Sequence, residues 1–158
     1  MQLGCSHCQP EDGGPPIDIA FQPIFDMRAR AVRGYEALVR GPNGESAASV
    51  LGAVGDAGKH RFEQRIRVMA IEKAAALGLV ANSASPEINT LPSAVTEAER
   101  CLAQTIAAAR RAGLETRRIV LEFSEKAKLD VAHARAIVAT YKAHGFRTAL
   151  DDFGDGYA

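Results

Sequence analysis

No sign of charge dominates this chain. Nineteen lysines and arginines balance nineteen aspartates and glutamates, so no broad basic field exists to hold DNA or an anionic membrane by bulk electrostatics. Any anionic ligand has to be held by local groups. Long apolar runs are missing too. No stretch approaches the ~18 residues of a membrane span, and the N-terminus lacks the charged-then-apolar order of a secretory signal. The expectation is a cytoplasmic protein with neither DNA nor membrane as a partner. Cysteine is scarce and odd in number. Cys5, Cys8 and Cys101 do not make the even framework of a small secreted domain.

What is present is ordinary globular material. With 47% hydrophobic and 24% charged residues among 158, the chain has the composition and length for one core. Its first segment stands apart. Cys5 and Cys8 bracket His7 in "CSHC", a spacing that suits a zinc knuckle or a redox pair. A structural zinc needs about four ligands, however, and no second pair follows at finger spacing, so a solvated leader is the simpler reading. The breakers of "PEDGGPP" should hold this segment off the core. Residues 1–17 are thus expected to be a Cys-containing flexible leader, and 18–158 the domain.

From Asp18 the pattern changes. "IDIAFQPIFDM" and "AVRGYEALVR" carry β-branched and aromatic residues at strand density, with "RAR" as the turn between them, so the pair predicts a hairpin. A helix is predicted over 46–58, with Ser46 as its N-cap. A longer one follows over 60–79, where Phe62, Ile66, Met69, Ala70 and Leu77 recur at helical spacing and predict one apolar face. Then come a short strand around Glu87 to Asn89, a helix over about 96–112, the dense strand "IVLEF", a helix over about 131–144, and a last strand in "FRTALDDFGDGYA". Strands alternating with helices call for a parallel sheet, so the class is α/β. Alternation alone does not decide between an open sheet and a barrel.

Four elements share one feature. Glu36 sits late in its strand, Asn89 ends its strand, Glu122 sits late in "IVLEF", and Asp151 with Asp152 closes "TALDD". Parallel α/β folds gather ligands at the carboxyl ends of their strands. A single carboxylate there is commonly a helix cap or a solvated loop residue; oxygen-bearing side chains at four strand ends are not explained that way. With no histidine among them, they suit magnesium or manganese better than zinc or copper. Asp151 and Asp152 repel each other unless a cation or donor lies between them, and strand alternation lets one bind while the other supports. Arg40 brings a forked guanidinium fitted to phosphate oxygens, although alone it reads as a surface arginine. Gln22 is a polar side chain in an apolar strand that serves either a ligand or a backbone group.

With "FQPI", "YEALVR", "INTLPSAV", "LEFSE" and "LDDFGDGYA" in this order, the chain resembles the EAL domains, bacterial phosphodiesterases of cyclic di-GMP. The likeness runs from about Ile19 to Ala158. It implies a TIM-like barrel whose first strand runs antiparallel to the rest, two Mg2+ or Mn2+ ions in the complete domain, and hydrolysis of cyclic di-GMP to linear pGpG by a two-metal mechanism. Glu36, Asn89, Glu122, Asp151 and Asp152 match metal-binding positions. Glu36, Asp151 and Asp152 thereby become the catalytic candidates. Gln22 and Arg40 match positions that contact the dinucleotide, and Glu125 matches a supporting acidic position. The resemblance also allows a homodimer. Two departures stand out: Thr90 and Leu91 follow Asn89 where the family has "N-x-S", and Asp155 stands where threonine or alanine is commoner.

A full eight-stranded barrel takes ~200 residues at the least, more than the 158 here. The family's later lysine, glutamate and "Q-G-Y" element have no counterpart in these residues. The expectation is therefore a truncated EAL domain forming an incomplete barrel, inactive as given. The alternative is a non-catalytic EAL-like module that binds cyclic di-GMP or a protein partner in signalling.

Overall fold

Asp26 starts the first turn of the chain by bonding its own neighbours: its Oδ1 accepts from the backbone N–H groups of Arg28 at 2.8 Å and Ala29 at 2.9 Å. Arg30 then takes a left-handed φ of 51°. This reverses the chain between β1 (Asp18–Asp26) and β2 (Ala31–Arg40), which pair antiparallel with Asp18 opposite Arg40 and an irregularity between Ile24 and Phe25. The hairpin predicted from strand-dense residues is present. The computed structural model describes residues 14–81, 84–91, 98–124 and 130–152. The "CSHC" leader, the segment 92–97, Glu125 and the glycine-rich end after Asp152 lie outside the described residues.

After the hairpin come α1 (Ala47–Gly52), α2 (Lys59–Ala76), β3 (Ser85–Thr90), α3 (Ala98–Arg111), β4 (Val120–Ser124), α4 (Val131–Ala143) and β5 (Arg147–Asp151). The five strands form one sheet in sequential order. The pairs β2–β3, β3–β4 and β4–β5 are all parallel. This is the expected TIM-like barrel arrangement, incomplete and with an antiparallel first strand.

Register separates the two faces of the sheet. Ala37 pairs with Ile88, and Ile88 with Leu121. All three are buried and belong to one core with Phe62, Ile66 and Ile71 of α2, Leu102 of α3 and Ile137 of α4. Full burial of a side chain such as Leu121 is worth ~1.5–3 kcal/mol. The core thus lies between the sheet and its helices, and the other face is left for polar residues. The packed chain begins before residue 18: Ile17 is buried, and the Pro15 carbonyl accepts from Arg65 Nη1 at 3.1 Å.

Two helices differ from the sequence expectation. The one predicted over 46–58 stops at Gly52, after the Ser46 hydroxyl has capped it by accepting from Ser49 N at 3.2 Å. Gly52 and Gly55 explain the stop, since a helical glycine costs about 1 kcal/mol against alanine. A single 3-10 turn, Asp56–Gly58, then leads into α2. The second difference is the buried sector of α2. Phe62, Ile66 and Ala70 are buried as expected, but Leu77 is 58% exposed, while Glu63, Gln64 and Arg67 are buried. Wedged between the sheet and α3, α2 buries more than one stripe, and Leu77 lies past its last turn.

Candidate metal centre at the strand ends

The ladders that align the core also align the acids. Gln22 faces Glu36 across β1–β2, Glu36 pairs with Glu87, Asn89 pairs with Glu122, and Ser124 pairs with Asp151. Register partners share a face, and residues two apart return to it. Gln22, Glu36, Glu87, Asn89, Glu122 and Asp151 therefore all belong to the face turned away from the helices. Contact follows within this group: Asn89 Nδ2 donates to Glu36 Oε1 at 2.9 Å.

Glu87 had not been singled out from the sequence, although it stands two residues before Asn89 and the strand period places the two on one face. It is buried, with Arg33 Nη2 at 3.1 Å from its Oε1. Gly34 makes this placement possible. A Cβ there would stand 2.7 Å from the Ser85 carbonyl oxygen and 2.8 Å from Glu87 Oε1, so a side chain would collide with the β3 backbone and displace the carboxylate from this position.

Glu122 is the electrostatic centre of the group. Burial pushes its carboxyl up to about 8, helped by a hydrogen bond to Glu87 and by the charges of Glu87, Glu36 and Asp151. Each of these causes disfavours the ionised form. A group of hard oxygen donors that must retain a proton near neutrality would be relieved by a divalent cation, and its chemistry suits magnesium, calcium or manganese. Among the described residues, no group of three or more His, Cys, Asp or Glu side chains is placed so that it could hold a metal ion.

The remaining predicted residues stand at the margin. Arg40, half-buried at the end of β2, donates from Nη1 to the Val39 carbonyl at 2.7 Å. Gln22 is exposed opposite Glu36. Asp152 has φ of 54°, a left-handed conformation that aspartate tolerates better than most residues, so the chain leaves the strand alternation directly after Asp151. Glu125 lies outside the described residues.

A family model, the EAL domain, matches residues 16–158. The chain belongs to the EAL domain family. Among solved structures, it is 46% identical to a standalone EAL protein from Vibrio cholerae O395 with cyclic di-GMP bound, with a TM-score of 0.81 over 89% of this chain and 59% of that one. The chain is also similar to Klebsiella pneumoniae BlrP1, solved as complexes with cyclic di-GMP. Identity is 26% to the calcium complex and 25% to a manganese complex, each with a TM-score of 0.82. These two matches cover 90% and 96% of this chain, and 36% and 38% of the BlrP1 chains. No curated protein sequence matches the chain. Among the described residues, no helix is long and apolar enough to cross a membrane.

Proposed function

We propose that this chain carries the metal-binding and phosphate-binding part of a cyclic di-GMP phosphodiesterase centre, which converts the cyclic dinucleotide to linear pGpG. The observation that supports this most is the convergence of Glu36, Asn89, Glu122 and Asp151 on one face of the strand ends, with the Glu122 carboxyl pushed up by burial and by its acidic neighbours. In this reading Glu36, Asn89, Glu122, Asp151 and Asp152 hold two Mg2+ or Mn2+ ions, with Glu125 in support. Such a pair, when bound, supplies Lewis-acid stabilisation of the phosphoryl oxygens and lowers the pKa of attacking water.

The side chains have separable tasks. Asn89 donates to Glu36 Oε1 and so fixes the orientation of that carboxylate. Arg40 uses one donor on the Val39 carbonyl; a guanidinium has five, and the others are available to a phosphate. Gln22 offers its amide from the β1 side. The working location is the cytoplasm, where a nucleotide signal would be met.

The 158-residue polypeptide is expected to bind rather than turn over, because among the described residues the five-stranded sheet stays open, with β1 and β5 at its edges. A binding module is accordingly the second reading. Calorimetry with Mn2+ and cyclic di-GMP, alongside chromatographic detection of pGpG, separates the two. The expected result is Mn2+-dependent dinucleotide binding that Glu36→Ala abolishes, without pGpG. Binding that is indifferent to both Mn2+ and Glu36→Ala would sink the metal-centre reading; pGpG formation would show that the open sheet suffices for catalysis.

A further inference from the structure

Glu63 is an acid in the wrong place for a helix packed against a core. It lies in the second turn of α2, 4% exposed, and one turn on lies Arg67, which is fully buried. Arg67 Nη1 donates to Glu63 Oε1 at 3.1 Å. Taking both charges out of water costs free energy that apolar residues would not, and such pairs are weak evidence of a stability role.

The same Oε1 accepts from the backbone N–H of Leu91 at 2.8 Å. Leu91 is the first residue beyond β3, two after Asn89. Glu63, Asn89, Thr90 and Leu91 also line one cavity of about 290 Å³. A parallel-strand exit must satisfy its backbone donors outside the ladder, and here a buried carboxylate reaches across from the neighbouring helix to do so. The Asn89 side chain points the other way, to Glu36. The end of β3 is thus held from both sides: by Glu63 on the helix side and by Glu36 on the acidic side.

We propose that Glu63 is a positioning residue for the metal centre. By anchoring Leu91 N it fixes the exit of β3, and with it the angle at which Asn89 meets Glu36. Arg67 keeps Glu63 in place and offsets its charge. The inference rests on the reading of Glu36 and Asn89 as metal ligands only in its consequence for affinity; the anchoring itself can be tested without metal.

Removing Glu63 alone would strand the buried charge of Arg67, so the test uses paired substitutions in the full 158-residue chain. Glu63→Gln with Arg67→Met keeps an acceptor for Leu91 N and removes both charges. Glu63→Leu with Arg67→Met removes the acceptor as well. Two measurements are made on each: NMR of the Leu91 backbone amide exchange and the Asn89 side-chain amide signal without metal, and Mn2+ affinity by calorimetry. The expected result is slow Leu91 exchange and an unshifted Asn89 signal in the Gln/Met pair. In the Leu/Met pair, exchange is fast, the Asn89 signal moves, and Mn2+ affinity falls roughly tenfold or more, the range typical of supports behind metal ligands. If both folded pairs leave Leu91 exchange and the Asn89 signal unchanged, the positioning role is wrong. If the NMR changes occur as expected but the unsubstituted chain takes up no Mn2+, the anchoring stands and the metal reading falls.

Discussion

Glu122 concentrates the physical chemistry of the site because every nearby influence acts on it in one direction. Burial, the Glu87 hydrogen bond and the charges of Glu87, Glu36 and Asp151 all raise it from 4.5 to about 8. Between those two values the folded chain keeps a proton that the unfolded chain has released, so unfolding free energy falls as pH rises. The stabilisation is complete below the unfolded value and is lost on passing about 8. Denaturant titrations in a chelator, at intervals from pH 5 to 9, should show this decline, and Glu122→Gln should flatten it; an unchanged slope in that variant would assign the decline to other groups. Glu122 was legible from sequence as the one acid of the apolar run "IVLEF", whereas Glu87 in "SPEINT" has no such apolar setting. The burial of Glu87 depends on the bare Cα of Gly34 on the next strand, a contact between residues far apart in sequence.

At the scale of elements, the helix ends show how local chemistry sets the frame that carries the site. After α2, Gly78 takes a φ of 69°, with its N–H donating to the Ala75 carbonyl at 3.0 Å and that of Leu79 to Ala74 at 3.0 Å. These are the paired bonds of a Schellman closure, and the same pattern ends α4 at Gly145, where Phe146 N reaches the Tyr141 carbonyl at 3.0 Å. Nothing crowds a Cβ at Gly78, so the cost of Gly78→Ala is that of a left-handed alanine alone. A loss of roughly 1–2 kcal/mol is expected in thermal or denaturant unfolding, and a neutral result would show that the α2 end can refit without left-handed backbone. The strands and the Ser46 cap were readable in advance; the end of α2 was not, since the helix predicted over 60–79 runs through Gly78 whereas α2 stops at Ala76. Nor was the buried width of α2, because periodicity sees one helix and the burial of Glu63, Gln64 and Arg67 is imposed by two neighbouring layers.

For the whole molecule, the open sheet is the governing feature. Among the described residues, β1 has one edge of the sheet and β5 the other. Pro23 in β1 suits an edge, since proline cannot donate to a ladder. Apolar side chains are exposed nearby: Phe25, Met27 and Leu150 are 53%, 80% and 48% exposed. Unpaired edges and exposed apolar groups invite pairing with another chain. Sedimentation velocity on the 158-residue chain should show concentration-dependent self-association. A single monomer boundary across the concentration range would mean that these edges are protected.

By itself the sequence determined the class of fold, the order of its elements and the presence of oxygen-bearing side chains at the strand ends, because hydrophobic period, turn residues and oxygen-rich motifs are local properties of a chain. The stretch "GYEALVRGP" placed Glu36 and Arg40 late in their strand in this way. Tertiary structure alone decided which acids share a face, that Gly34 yields its space to Glu87, that Glu122 retains a proton, and that Glu63 reaches from a helix to the exit of β3. Each of these depends on strand register or on packing between layers, where residues distant along the chain meet in a medium that screens charge far less than water.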